Sequence, residues 1–282
     1  MMRSLWSAAS GMVAQQTNLD TISNNLSNVN TAGYKKDTVE FKSLLYQNLQ
    51  SESTNNAGEN KPVPAQVGLG TRTGSITTVF TQGNLQETTN KNYLAIEGNG
   101  FFKVRDADGN IAYTRDGSFT VQPAAEGGGT ILCTSEGYPV LDQYNNEIHI
   151  PEGYKNGEYV VDREGNLFVT NVDDENIPMT AQVNGQTYNQ KIGLVQFNNP
   201  SGLYNAGGNL YTATVASGNA IEESTAQGLK TSLVHQGYLE MSNVQVADEM
   251  VNMIVAQRAY EMNSKAIQAS DEMLQQANNL RG

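Results

Sequence analysis

From Leu5 to Val29 a seam of mainly apolar residues recurs at alternating steps of three and four, through Leu5, Ala8, Met12, Gln15, Leu19, Ile22, Leu26 and Val29. A seam of that period belongs to an α-helix that packs along its length, and it excludes a strand or an exposed loop here. The same step returns near the other end in Val246, Met250, Met253, Gln257, Tyr260, Ser264, Ile267, Asp271 and Leu274, widened at its start by Val251 and Ile254. Two helices at the extremes of one chain therefore frame whatever lies between them.

The flanks of the first seam are unusual. Exposed coiled coils flank their seams with Glu and Lys, but here the flanks are Ala9, Gly11, Gln16, Asn18, Ser23 and Asn25, and Asp20 is the only charge from Ser4 to Tyr34. Small and amide side chains suit a helix crowded on several sides. At the other end Gln257, Ser264 and Asp271 argue against a simple two-stranded zipper, and the methionines read as packing surface. Asparagine is a poor helix former, so each segment alone is marginal. The expectation is that both ends are disordered in the monomer and become helical on assembly.

The middle is built differently. All seven prolines lie between Pro62 and Pro200, and Gly-Asn pairs stand at 83–84, 98–99, 109–110, 165–166, 208–209 and 218–219, beside short apolar runs. Such pairs are hairpin signals, and IAYTRDGSFTV and EYVVDREGNLFVT read as strand, turn, strand. The fold class expected is α+β: paired terminal helices in a coiled-coil-like inner domain, flanking a mainly antiparallel β middle.

Charge and composition remove several classes of function. The net charge of −12 comes with no basic run longer than Lys35-Lys36, which excludes a nucleic-acid or anionic-membrane footprint. No stretch approaches the ~20 apolar residues of a membrane span, and the start has no compact apolar run of a secretory signal. Cys133 is alone, so it forms no internal disulfide and reads as a buried thiol.

Signs of catalysis are weak. His149 and His235 belong to no metal-ligand pattern; Asp106, Asp108 and Asn110 begin like a calcium loop, but Ile111 and Gly117 stand where glycine and glutamate are needed. The glycines at 98 and 100 and at 127–129 are turns, not phosphate cradles. Asp173, Asp174, Glu175, Glu222 and Glu223 could meet as paired carboxylates for glycan cleavage, though acidic loops are the plainer reading. No catalytic, cofactor or metal residue is assigned.

SNNLSNVNTAGYKK, from Ser23 to Lys36, resembles the N-terminal signature of the bacterial flagellar rod and hook (axial) protein family, and GYLEMSNVQVADEMVNMIVAQRAYEMNSKAIQASDEML resembles its C-terminal counterpart. LAIEGNGFFKVRDADGNIAYTRDGSFTV looks like the β-rich segment between them, and SLWSAASGMVAQQTNLD with FKSLLYQ, at this length, is most like the distal rod members.

The resemblance implies a structural subunit of a hollow helical tube that transmits torque and carries exported subunits, with Gly33 letting the chain turn out of the first helix. It implies as partners many copies of the chain itself, proximal rod proteins, the hook or its junction, envelope bushing rings and the flagellar type III export apparatus. The location implied is the extracytoplasmic basal body, reached without a cleaved signal. The self-assembly seam is then assigned to Leu5, Met12, Leu19, Ile22, Leu26, Val29, Val246, Met250, Met253, Tyr260, Ile267 and Leu274.

Five segments follow: residues 1–33, a helix; 34–84, an extended connection whose stretch from Gln47 to Ser75 reads by composition as a flexible linker; 85–212, β-rich; 213–242, a return; and 243–282, a helix. A proximal rod or short hook subunit is the nearest alternative. From other classes come a peptidoglycan-directed enzyme or binding module, and a free-standing scaffold or adhesin.

Overall fold

The computed structural model describes residues 2–50, 53–54, 60–61, 65–124, 129–151, 159–170, 176–183, 186–224 and 228–280. The chain folds as two compact units: Met1–Ser27 with Asp37–Thr78 and Gln245–Gly282, and Asn28–Lys36 with Val79–Val244.

The first unit holds both helices, α1 (Met2–Ser27) and α2 (Val246–Asn279). Gln245 makes no side-chain cap on α2, although Asp248 and Glu249 in its first turn complement the helix dipole. Packing must therefore hold these helices, which are formed and paired within the single chain instead of being the disordered ends expected from sequence.

Beside them runs a two-stranded ribbon. Asp37–Ser43 pairs antiparallel with Thr71–Thr78, slipping by one residue at Glu40/Phe41. Tyr46–Gln50 with Ala65–Gly68, and then Ser53–Thr54 with Asn60–Lys61, continue it. The described part of the stretch from Gln47 to Ser75 is thus paired strand and not flexible linker; residues 51–52, 55–59 and 62–64 lie outside the description. Composition misleads because a mostly polar ribbon takes its order from the ladder of backbone hydrogen bonds, which nearly every residue type can join.

The second unit is β-rich. Its largest sheet has six strands in the order Tyr204–Gly207, Leu210–Thr212, Ile111–Thr114, Phe101–Arg105, Leu194–Gln196, Ile221–Glu222. Strand alternation buries both faces of Phe101–Arg105. Phe102 and Val104 join a large core with Leu94, Ile96, Leu132 and Ile192, while Phe101 packs with Tyr113, Val195, Phe197 and Tyr211. Residues 213–242 add three strands, Ile221–Glu222, Leu233–Gln236 and Tyr238–Glu240, the last two pairing with Leu94–Glu97 and Leu85–Glu87.

Hairpins form at three of the six Gly-Asn pairs. Gly109-Asn110, Gly165-Asn166 and Gly208-Asn209 each turn one strand onto the next, as EYVVDREGNLFVT suggests. IAYTRDGSFTV does not form a hairpin: Ile111–Thr114 lies in the six-stranded sheet and Thr120–Pro123 pairs with Thr130–Cys133. Gly117 sends the chain aside because it presses onto the next backbone, where a Cβ would stand 1.5 Å from the Leu94 carbonyl oxygen. Residues 125–128, with two of the three glycines read as turns at 127–129, lie outside the description.

Candidate assembly surface and helix exit

The contact between α1 and α2 is made of small and polar residues. The hydroxyls of Ser4 and Ser270 lie 3.4 Å apart, and a Cβ added to Gly11 would stand 2.8 Å from Asn263 Nδ2. One step of seven residues forward on α1 answers one step of seven backward on α2, so the helices run antiparallel. Asn25 on α1, and Glu249, Ala256 and Ser270 on α2, are all buried. Helices that meet through Ser, Gly and Ala approach closely, and they leave their large side chains on other faces.

Those large side chains are uncovered. Trp6 is 72% exposed, Val13 66%, Val255 62% and Met262 64%, with Val251, Ile254 and Met273 also open. Of the residues assigned to the seam from sequence, Ile22 is buried; Leu5, Met12, Leu19, Leu26, Val29, Met253 and Ile267 are half-buried; Val246, Met250, Tyr260 and Leu274 are exposed. The intrachain seam of α2 at 249, 256, 263 and 270 lies one residue before the positions 250, 257, 264 and 271 read from sequence. Sequence reasoning missed it because Glu249, Asn263 and Ser270 carry no apolar signal.

Asparagines of the stretch from Ser23 to Lys36 hold backbone. Asn25 donates from Nδ2 to the Asp37 carbonyl at 2.8 Å and accepts the Asp37 N–H on Oδ1 at 2.9 Å, fixing the base of the ribbon. In the second unit Asn28 Oδ1 accepts the Thr31 hydroxyl. α1 ends at Ser27, six residues before Gly33. Gly33 has φ +68°, its N–H donates to the Glu240 carbonyl at 2.8 Å, and a Cβ there would meet the Asp116 nitrogen at 2.5 Å, so glycine is required for two reasons.

Next to it stands a buried charge cluster. Lys35 Nζ lies 2.5 Å from Glu240 Oε1, both side chains being fully buried, and Arg115 Nη1 lies 3.3 Å from Glu240 Oε2. The Arg115 guanidinium also covers the Phe101 ring at 4.9 Å. Burial lowers the Lys35 ammonium below its ordinary range, against the pull of Glu240.

The residues weighed for chemistry are occupied elsewhere. Glu222 Oε1 accepts from Lys103 Nζ at 2.6 Å, and Glu223 accepts from Ser232 and Gln196. His235 Nε2 is 2.7 Å from Glu97 and His149 Nε2 is 3.9 Å from Glu147. Cys133 is buried, and burial pushes its thiol up. Asp173, Asp174, Glu175, Gly127 and Gly128 lie outside the described residues, among which no cluster of His, Cys, Asp and Glu could hold a metal and no helix is long and apolar enough to cross a membrane.

Three family models match the chain: the flagella basal body rod protein over residues 5–35, the flagellar hook protein FlgE/F/G D1 domain over 95–169, and the flagellar basal body rod FlgEFG protein C-terminal over 235–280. The flagellar basal-body rod protein FlgG of Borreliella burgdorferi is 47% identical over 284 residues, covering 100% of this chain and 99% of the relative. That of Bacillus subtilis is 38% identical over 281 residues, with 100% of each covered. The flagellar hook-basal body complex protein FlhP of Bacillus subtilis is 33% identical over 285 residues, again over 100% of each. The chain belongs to the flagellar basal-body rod and hook family, as a FlgG-like structural subunit of the rod and not an enzyme.

Proposed function

We propose that the chain is a subunit of the distal rod, stacking helically with copies of itself into a hollow shaft that transmits torque and passes exported subunits. The observation that carries this reading is the division of labour on the helices. The contact within the chain uses Ser4, Gly11, Asn263 and Ser270, while Trp6, Val13, Val255 and Met262 are left open. Apolar area of that extent on paired helices calls for further partners, and heterologous contacts between copies give an open stack that extends. The half-buried and exposed seam residues from Leu5 to Leu274 serve that contact, and Gly33 serves the exit from α1.

Proximal rod proteins, the hook or its junction, envelope bushing rings and the type III export apparatus complete the set of partners, and the site of work is the periplasm or cell wall. Likeness to a hook-basal body complex protein supports a second reading as another axial subunit of the same stack. Deletion of the gene, followed by electron microscopy of basal bodies, decides between them. A rod that stops short with no hook is expected; a complete rod lacking only its hook would assign the chain to the hook, and intact flagella would overturn both readings.

A further inference from the structure

Within the second unit, three lengths of chain meet beside Gly33: residues 33–36, leading out to the ribbon; 79–83, coming back from it; and 240–244, leading to α2. Three side chains, Lys35, Glu240 and Asn243, link all three lengths. Glu240 Oε1 accepts from Lys35 Nζ and from the Gly83 N–H at 2.9 Å, and its own carbonyl accepts the Gly33 N–H. Asn243 Oδ1 accepts the Lys36 N–H at 2.8 Å, while its Nδ2 donates to the Val79 carbonyl at 2.8 Å and to Thr81. Lys35 Nζ reaches the Thr81 carbonyl at 2.9 Å, and Val79 N–H donates to the Lys36 carbonyl at 2.9 Å, which closes the circuit.

We propose that Glu240 and Asn243 are the positioning residues of a single clamp that binds these three lengths into one cooperative group. Apart from Arg115 Nε, which has no hydrogen-bond partner among the described residues, the polar groups of this buried network are engaged with one another, and such a network rigidifies as a unit, so loss of one member loosens the others. The carboxylate is held by two cations, Lys35 and Arg115, in a fully buried site, and the Asn243 carboxamide accepts from one length, at Lys36, and donates to another, at Val79. The clamp's use, which rests on the rod reading above, is to keep the attachments of ribbon and α2 from shifting against each other under load.

Amide hydrogen exchange on the purified full-length chain tests the clamp without reference to the rod. Gly33 and Gly83 N–H groups touch Glu240 but not Asn243; the Lys36 N–H bonds to Asn243 and that of Val79 to the Lys36 carbonyl, neither to Glu240. Asn243→Ala should speed exchange at Gly33 and Gly83 by about tenfold or more, and Glu240→Gln should do the same at Lys36 and Val79. Amides of Phe101–Arg105 should stay unchanged in both, showing that the core is folded.

If each variant accelerates only the amides it bonds itself, the cooperative clamp is overturned. If Glu240→Gln does not fold, Asn243→Ala alone decides by the behaviour of Gly33 and Gly83. Swimming of the Asn243→Ala strain tests the use: loss of motility with a folded chain is expected, and full motility despite loosened amides would overturn it. Intact flagella in the deletion strain would instead remove the rod reading and leave the exchange result standing.

Discussion

The Asn25 side chain faces the backbone of Asp37, its Nδ2 donating to the Asp37 carbonyl at 2.8 Å and its Oδ1 accepting the Asp37 N–H at 2.9 Å. No other side chain type supplies both partners in that geometry except a glutamine of different length. Asn25→Ala should therefore destabilise the first unit by about 1 to 3 kcal/mol, by leaving a buried donor and acceptor without partners. Asn25→Asp should cost at least as much, because a carboxylate can accept the N–H but turns a second acceptor onto the Asp37 carbonyl. Thermal melts followed by helical circular dichroism read both, and a wild-type melt for Asn25→Asp would refute the argument.

Glu240 serves two cations, so its removal should cost more than removal of either one. Glu240→Leu leaves Lys35 and Arg115 buried without their carboxylate and should cost about 3 to 5 kcal/mol, whereas Lys35→Met leaves the Arg115 pair intact and should cost less. The pH dependence has a definite sign. Burial holds the folded Lys35 below the 10.5 of a free lysine, so between the two values the unfolded chain binds more protons. Wild type should gain stability over Lys35→Met as pH rises through that window toward 10.5, as read by urea unfolding at several alkaline pH values.

Asp116 shows the opposite case for a carboxylate. Burial raises it above the ordinary 3.8, outweighing the Ser118 N–H that donates to its Oδ1 at 2.9 Å. Between 3.8 and the raised value the folded chain binds more protons, so folding loses stability as pH rises through that window and bears the full penalty above it. Asp116→Asn keeps an acceptor for Ser118 and should be more stable than wild type at pH 7. The gain should vanish as pH falls toward 3.8, which denaturant titrations at pH 7 and pH 4 would show.

Substitutions on the helices should separate assembly from folding. Val255 is 62% exposed, so Val255→Asp should change the stability of the monomer by no more than about 0.5 kcal/mol yet abolish rod formation and swimming. Ile22 is 5% exposed, and Ile22→Asp should destabilise the helix pair itself by about 3 kcal/mol or more. Half-buried Leu19 and Ile267 should fall between these when replaced by Asp. Basal bodies with a normal rod in the Val255→Asp strain would remove that face from the assembly surface.

Both helices were legible because a three-and-four apolar step over twenty or more residues has no other regular solution, and the strands of the middle were legible from Gly-Asn turns beside short apolar runs. The pairing of those strands was less so. Gly117 continues no hairpin, because Leu94, distant in sequence, takes the place beside it. The ribbon from Asp37 to Thr78 was hidden by polar composition, since its order comes from a backbone ladder that every residue type except proline can join.

What the sequence alone determined is the architecture of two terminal helices around a β middle, the absence of a basic footprint, and the family signatures. Those are local properties, written in period, turn chemistry and composition. Tertiary structure decided which helix face turns inward: the seam of Ser4, Gly11, Asn263 and Ser270 wins because small residues let two backbones approach, a gain that no single-helix apolar pattern records. It also decided the fate of Lys35, which reads as half of an exposed basic pair until Glu240, 205 residues away, meets it in a dry interior. A charge can be buried only where its partner arrives, and that arrival is set by the folded chain as a whole.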